Sequence, residues 1–62
     1  MPTTNTTVAV AGRTWPVIIE PDPDAGGYII TCPALPGCYT QGDTIDDALT
    51  NIREAIAACL DD

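Results

Sequence analysis

Histidine, lysine and phenylalanine are all missing from this 62-residue chain, and its only strong cations are Arg13 and Arg53. Each absence removes a class of function. Without histidine the commonest general acid–base group is gone, leaving carboxylates, thiols and tyrosines as candidates for proton transfer. Two cations do not neutralise a row of phosphates, which counts against direct binding of nucleic acid. Aromatic mass is confined to Trp15, Tyr28 and Tyr39, and a chain of this length buries only ~60% of the surface that its unfolded form exposes. A lone core is therefore marginal. Self-association as a dimer or tetramer, or a protein partner, is the expected supplement.

Long apolar runs are missing as well. "VAVA" and "AIAACL" fall far short of the ~20 residues that cross a bilayer. No basic, apolar leader precedes Val8. Cys32, Cys38 and Cys59 cannot all pair within one chain, which fits a reducing compartment. A cytoplasmic protein without a membrane segment is expected.

What the chain has in excess is carboxylate. Glu20, Asp22, Asp24, Asp43, Asp46, Asp47, Glu54, Asp61 and Asp62 bring the net charge to −7. Such acidity keeps a small protein soluble, and it also steers a basic partner inward.

The opening "MPTTNTT" is polar and uncharged, so residues 1–6 read as a disordered tail and residues 7–62 as a single domain. Val8 and Val10 then alternate with Thr7, Ala9 and Ala11, and Trp15, Val17 and Ile19 alternate with Pro16, Ile18 and Glu20. This is the period of two strands joined at Gly12. Pro16 has no N–H to give a ladder, which places it at a strand start or on an unpaired edge. "EPDPDAGG" fixes φ at two prolines and frees it at two glycines, the makings of a turn. "GYIITC" is a third strand, with Tyr28, Ile30 and Cys32 on one face and Ile29 and Thr31 on the other. Residues 38–41 suffice for a short edge strand.

From Asp43 the period becomes helical. Ile45, Ala48, Leu49, Ile52, Ile56, Cys59 and Leu60 fall on one stripe, and Asp46, Asp47, Thr50, Asn51, Arg53, Glu54 and Asp61 fall opposite. Thr44 is placed to cap the helix, with Asp47 three residues on in a short-armed capping box. The predicted fold is α+β, a two-layer sandwich of a three- to four-stranded, mainly antiparallel sheet with one amphipathic helix packed on one face, in the order β-β-β-(β)-α. The other sheet face is left uncovered.

Chemistry finds few footholds in this plan. The acids fall in a turn (Asp22, Asp24) or at the start and on the wet face of the helix, where caps and solvated surface are their usual roles. "DPDAGG" has the alternating acids of a calcium loop, but its twelfth position, where a bidentate Glu belongs, is Pro33. Cys32 and Cys38 are spaced too widely for a zinc knuckle and lack a fourth ligand. No lysine or histidine stands by to lower a thiol pKa. No catalytic, cofactor-binding or metal-ligating residue is assigned. The stretch "PALPGCYTQGDT" reads as a bend: Pro33 and Pro36 stop the strand, Leu35 plugs the core, Gly37 permits a reversal, and residues 42–44 deliver the chain into the helix. Gly37 and Gly42 are expected to be structural, through backbone angles that other residues disfavour.

Gly27-Tyr28, the following strand, Pro33-Ala34-Leu35-Pro36-Gly37-Cys38 and Gly42-Asp43-Thr44 before a helix with Glu54-Ala55 form an ordered string. This string closely resembles the HicB-type antitoxin family over residues 15–60. The resemblance implies a partial ribonuclease H-like fold without nuclease activity, which binds and neutralises a small basic mRNA-cleaving toxin of the HicA type. An acidic domain suits such a target. Many members carry a DNA-binding module after this domain; with Asp62 ending the chain just after the helix, operator binding is not expected. Ala34 stands where members commonly have Asp, a final strand after the helix is missing, and a strand at residues 7–11 precedes the shared core.

Two other functions compete with an antitoxin. A small metal-dependent, ribonuclease H-like hydrolase would need carboxylates on its strands, and an orphan domain would bind only itself. Asp46, Asp47 and Glu54, on the wet face of the helix, are the candidate partner-binding residues.

Overall fold

A computed structural model, covering residues 3–61, consists of β1 (Thr4–Val10), β2 (Arg13–Pro21), β3 (Tyr28–Thr31), β4 (Tyr39–Gly42) and α1 (Ile45–Leu60). The strands form one antiparallel sheet in chain order, β1-β2-β3-β4, and the helix packs across one face as the alternation requires. Val8, Trp15, Val17, Ile19, Ile30 and Cys32 point to that face and meet Ala48, Ile52 and Ile56 of α1 in one buried cluster. Leu35 packs against its margin, the plug expected of it. Among the described residues no helix is long and apolar enough to cross a membrane.

Val10 pairs with Arg13, so Ala11 and Gly12 alone make the first turn, with φ of 55° and 73°. Two positive φ values define the turn type that matches strand twist. Beside this turn Trp15 Nε1 donates to the Val10 carbonyl at 3.1 Å, and the Arg13 guanidinium covers the indole at 4.8 Å from its centroid.

β1 starts earlier than the sequence suggests. Residues 4–6 pair with Ile19, Ile18 and Val17, where a loose tail was expected. Backbone pairing to an apolar strand orders this polar segment, whose own side chains stay exposed. Met1 and Pro2, the beginning of the expected tail, lie outside the described residues.

Pro16 takes the second of its two expected places. It stands mid-strand opposite Thr7. Counting from the two-residue turn, bonded and unbonded pairs alternate, which puts Pro16 in an unbonded pair with its nitrogen turned toward the β3 side. There β3 pairs no further back than Ile18, and the same register continued would set Pro33 opposite Pro16. The ladder stops where two residues without N–H would meet.

Two details of the helix and its approach depart from the sequence reading. Cys59, at the end of the apolar stripe, is exposed, because the stripe runs past the last residues that cover it; Leu60 is likewise 37% exposed. Gly42 does not have a positive φ; its constraint is space, since a Cβ there would strike Ala48 and Asp47. Gly37, with φ 74° and open surroundings, keeps the angular reason.

Candidate partner-binding surface

The loop at 22–27 is built by its own acid. Asp22 Oδ1 accepts from the N–H groups of Asp24 (3.0 Å) and Ala25 (3.2 Å), while its backbone N–H donates to the Gly27 carbonyl and its carbonyl accepts from Gly26, each at 3.0 Å. That is the turn-forming role the sequence suggested for Asp22. Gly27, at φ 71°, then lets the chain pass the Gly42–Asp43 backbone so closely that a Cβ would stand 2.5 Å from the Gly42 carbonyl oxygen. Two segments distant in sequence are thereby fastened side by side.

On the far side of that contact the helix begins. Thr44 is its N-cap, with Oγ1 accepting from the Asp47 N–H at 3.1 Å. Asp46 and Asp47 occupy the first turn, where unpaired N–H groups give the helix a positive end that favours carboxylates. One turn on, Asn51 Nδ2 donates to the Gln41 carbonyl at 2.8 Å and pins the helix to β4. Asn51 is consequently half-buried, although its position on the polar stripe suggested a free surface residue.

The outcome is an acidic end. Asp22 and Asp24 lie in the loop and Asp43, Asp46 and Asp47 at the helix start, so five of the nine acidic residues belong to the two segments that meet at Gly27 and Gly42. Two of them, Asp43 and Asp47, face a shallow cavity of about 430 Å³ that Gly26, Gln41, Thr50 and Asn51 also line. Arg13 sits at the opposite end of β2, held over Trp15, and Arg53 is exposed farther along the helix. Neither arginine belongs to the two segments that meet here, and the charge those segments carry is negative.

Of the three residues singled out by sequence, all are exposed. Asp47 and Glu54, seven positions apart, share one line along the helix, and Asp46 lies about a quarter-turn around it. Asp46 and Asp47 join the acidic end; Glu54 extends it along the helix. Sequence reasoning passed over Asp22, Asp24 and Asp43 as members of the group. Their signal was the pair of glycines, at 27 and 42, that brings the loop and the helix start into contact.

The uncovered sheet face carries Ile18, Thr31 and Tyr39 in one row and Glu20, Ile29 and Gln41 in the next. Tyr39 is 67% exposed, and with Ile29 and Gln41 it borders a depression of about 230 Å³. Glu20 is the single carboxylate on any strand among the described residues. No group of three or more His, Cys, Asp or Glu among them is placed to hold a metal ion.

The bend at 33–38 is a double turn. Leu35 N–H donates to the Cys32 carbonyl and Cys38 N–H to the Leu35 carbonyl, both at 3.1 Å. Each turn has proline at its second position, and Gly37 supplies the positive φ at the third position of the second one. Burial pushes the Cys38 thiol up from its ordinary 9.0 to about 11, with a hydrogen bond to Cys59 and the neighbouring Cys59 and Cys32 sulfurs adding to the effect. A thiol so raised is a poor nucleophile at neutral pH.

A family model described as the HicB-like antitoxin of bacterial toxin–antitoxin systems matches residues 15–62. The chain belongs to the HicB-like antitoxin family. Among curated relatives, a UPF0150 protein of Thermoplasma acidophilum is 56% identical over 45 residues, 73% of this chain and 64% of the relative. One from Synechocystis is 52% identical over 46 residues, 74% of this chain and 65% of the relative. A 14.9 kDa protein of Haemophilus phage HP1 is 42% identical over 43 residues, 69% of this chain but 31% of its own length. The chain thus spans just under two thirds of the first two. No solved structure matches it. The HicB-like match begins at Trp15, so β1 and the first two residues of β2 lie outside it, while the rest of β2, the double turn and the capped helix lie within it.

Proposed function

We propose that this HicB-like protein is an antitoxin that binds and neutralises a small basic, mRNA-cleaving toxin of the HicA type. It acts in the cytoplasm by occupying the toxin's surface and performs no catalysis of its own. The observation that carries the reading is the acidic end: carboxylates from the 22–27 loop and the start of α1 stand together on a chain of an antitoxin family. A basic RNA-cleaving protein must present cations where it holds phosphates. Asp46, Asp47 and Glu54, joined by Asp22, Asp24 and Asp43, meet those cations and compete with RNA for them.

The protein self-associates through the uncovered sheet face, where Ile18, Ile29 and Tyr39 would otherwise remain in water. This leaves the acidic end, at the sheet margin, open to the toxin.

The test is an RNA-cleavage assay with the toxin-like product encoded beside this chain's gene. An equimolar amount of the protein should abolish cleavage and co-elute with the toxin in one peak. Undiminished cleavage at a large excess of protein would contradict the proposal.

A further inference from the structure

The sheet has two outer edges, and the fold treats them differently. β4 is four residues long. The Cys32 N–H donates to the Cys38 carbonyl at 2.9 Å, and the alternation that follows from this bond turns the Gln41 carbonyl away from β3. Asn51 Nδ2 takes that carbonyl at 2.8 Å, so the helix closes this edge. β1, at the other margin, is seven residues long, pairs with β2 residue for residue without a bulge, and holds neither proline nor a charged residue. The usual protections of an edge strand are absent from it. Counting from the Ala11-Gly12 turn, Val10, Val8, Thr6 and Thr4 bond to β2, while Asn5, Thr7 and Ala9 turn their N–H and C=O groups outward. All three are exposed, and among the described residues no strand covers these six backbone groups.

We propose that the β1 edge pairs with the same edge of a second copy, antiparallel about a two-fold axis at Thr7, to make one eight-stranded sheet. In this register β1 overlaps its mate along its full length. Thr7 stands opposite Thr7 of the second copy and Asn5 opposite Ala9, so that six hydrogen bonds use every outward group of both strands. The segment is its own complement, which is why the occupant is another copy. Threonine beside threonine across the axis is a favourable cross-strand pair, and residues 4–10 bring no charge to a contact between two chains of net charge −7. A basic partner would find no carboxylate on this strand. The two helices come to lie on one face of the joined sheet. In strand order β1 is farthest from β4, the strand that leads into the acidic helix start, so both acidic ends stay open. This pairing is separate from the contact through the uncovered face and does not depend on a toxin.

Introduced cysteines test the register. Opposed Cα atoms of a bonded antiparallel pair are about 5.5 Å apart, within disulfide range. In a Cys59→Ser background, which removes the exposed thiol, Thr7→Cys should crosslink to a dimer under mild oxidation with diamide and separate again with dithiothreitol. Asn5→Cys alone and Ala9→Cys alone should stay uncrosslinked, since like residues are then about 14 Å apart along the strands, while an equal mixture of the two should give the crosslinked pair. In sedimentation equilibrium the native protein should self-associate reversibly, and Thr7→Pro should weaken that association at least about tenfold by removing two of the six bonds. Thr7 makes no bond to β2, so proline there breaks no rung of the native ladder; Thr7→Cys decides the matter whether or not Thr7→Pro folds. The crosslinks should persist in Ile29→Thr, which weakens contact through the uncovered face. A native protein that sediments as a monomer, a Thr7→Cys variant that does not crosslink, an Asn5→Cys variant that crosslinks as readily alone as in the mixture, or loss of the crosslinks in Ile29→Thr would each overturn the proposal.

Discussion

A side chain on Gly42 would collide with the amide of Ala48 as the chain turns from β4 into α1. The strand end and the first turn of the helix are in backbone contact, and only hydrogen fits between them. Gly42→Ala should lower stability by about 1–3 kcal/mol through overpacking, read from the urea midpoint. Asparagine separates this cause from an angular one. It tolerates positive φ, so Gly37→Asn, where φ is 74° and the space is open, should be nearly neutral while Gly42→Asn is at least as harmful as Gly42→Ala. Equal effects at both positions would contradict the distinction.

Ala11 is a non-glycine residue at positive φ among the described residues, in a turn whose partner position is Gly12. A left-handed conformation costs an ordinary residue about 1–2 kcal/mol, and Asn-Gly is the preferred pair for this turn. Ala11→Asn should therefore stabilise the protein by about 1 kcal/mol, seen as a rise in melting temperature of several degrees for a domain this small. A lower melting temperature would show that the hairpin does not close as described.

The Cys38 thiol titrates at about 11 in the folded protein and near 9.0 when unfolded. Between those values the folded state holds a proton that the unfolded state has released, so unfolding is increasingly favoured as pH rises. The stabilisation is complete below about pH 9 and is lost on the way to pH 11. Urea midpoints measured under reducing conditions from pH 7 to 11 should fall more steeply for the native sequence than for Cys38→Ala. Parallel curves would remove the thiol from the explanation.

Most of the fold was legible because its periods are clean. Trp15, Val17 and Ile19 face the helix by alternation, and Ala48, Ile52 and Ile56 face the sheet by the helical repeat, as their burial requires. Thr44 announced the cap that it makes. The start of β1 was not legible, since residues 4–6 carry no apolar alternation and are ordered by the backbone of β2. Composition alone also hides which residues meet. The acids of the 22–27 loop join those of the helix start only through the close pass of Gly27 against Gly42. The exposure of Cys59 depends on where the sheet stops beneath the helix, which its own periodicity does not record.

The measurement that bears most directly on the central claim is the calorimetric affinity for the toxin, at low and high salt, of the native protein and of a variant carrying Asp46→Asn, Asp47→Asn and Glu54→Gln. These three side chains are exposed, and the variant keeps the Thr44 cap, so folding should be preserved apart from a few tenths of a kcal/mol lost with the carboxylates at the positive end of the helix. The native protein should bind, more weakly as salt rises, and the variant should bind roughly tenfold more weakly at low salt with a flatter salt dependence. Absence of binding by the native protein, or identical affinities and salt slopes for the two, would contradict the account.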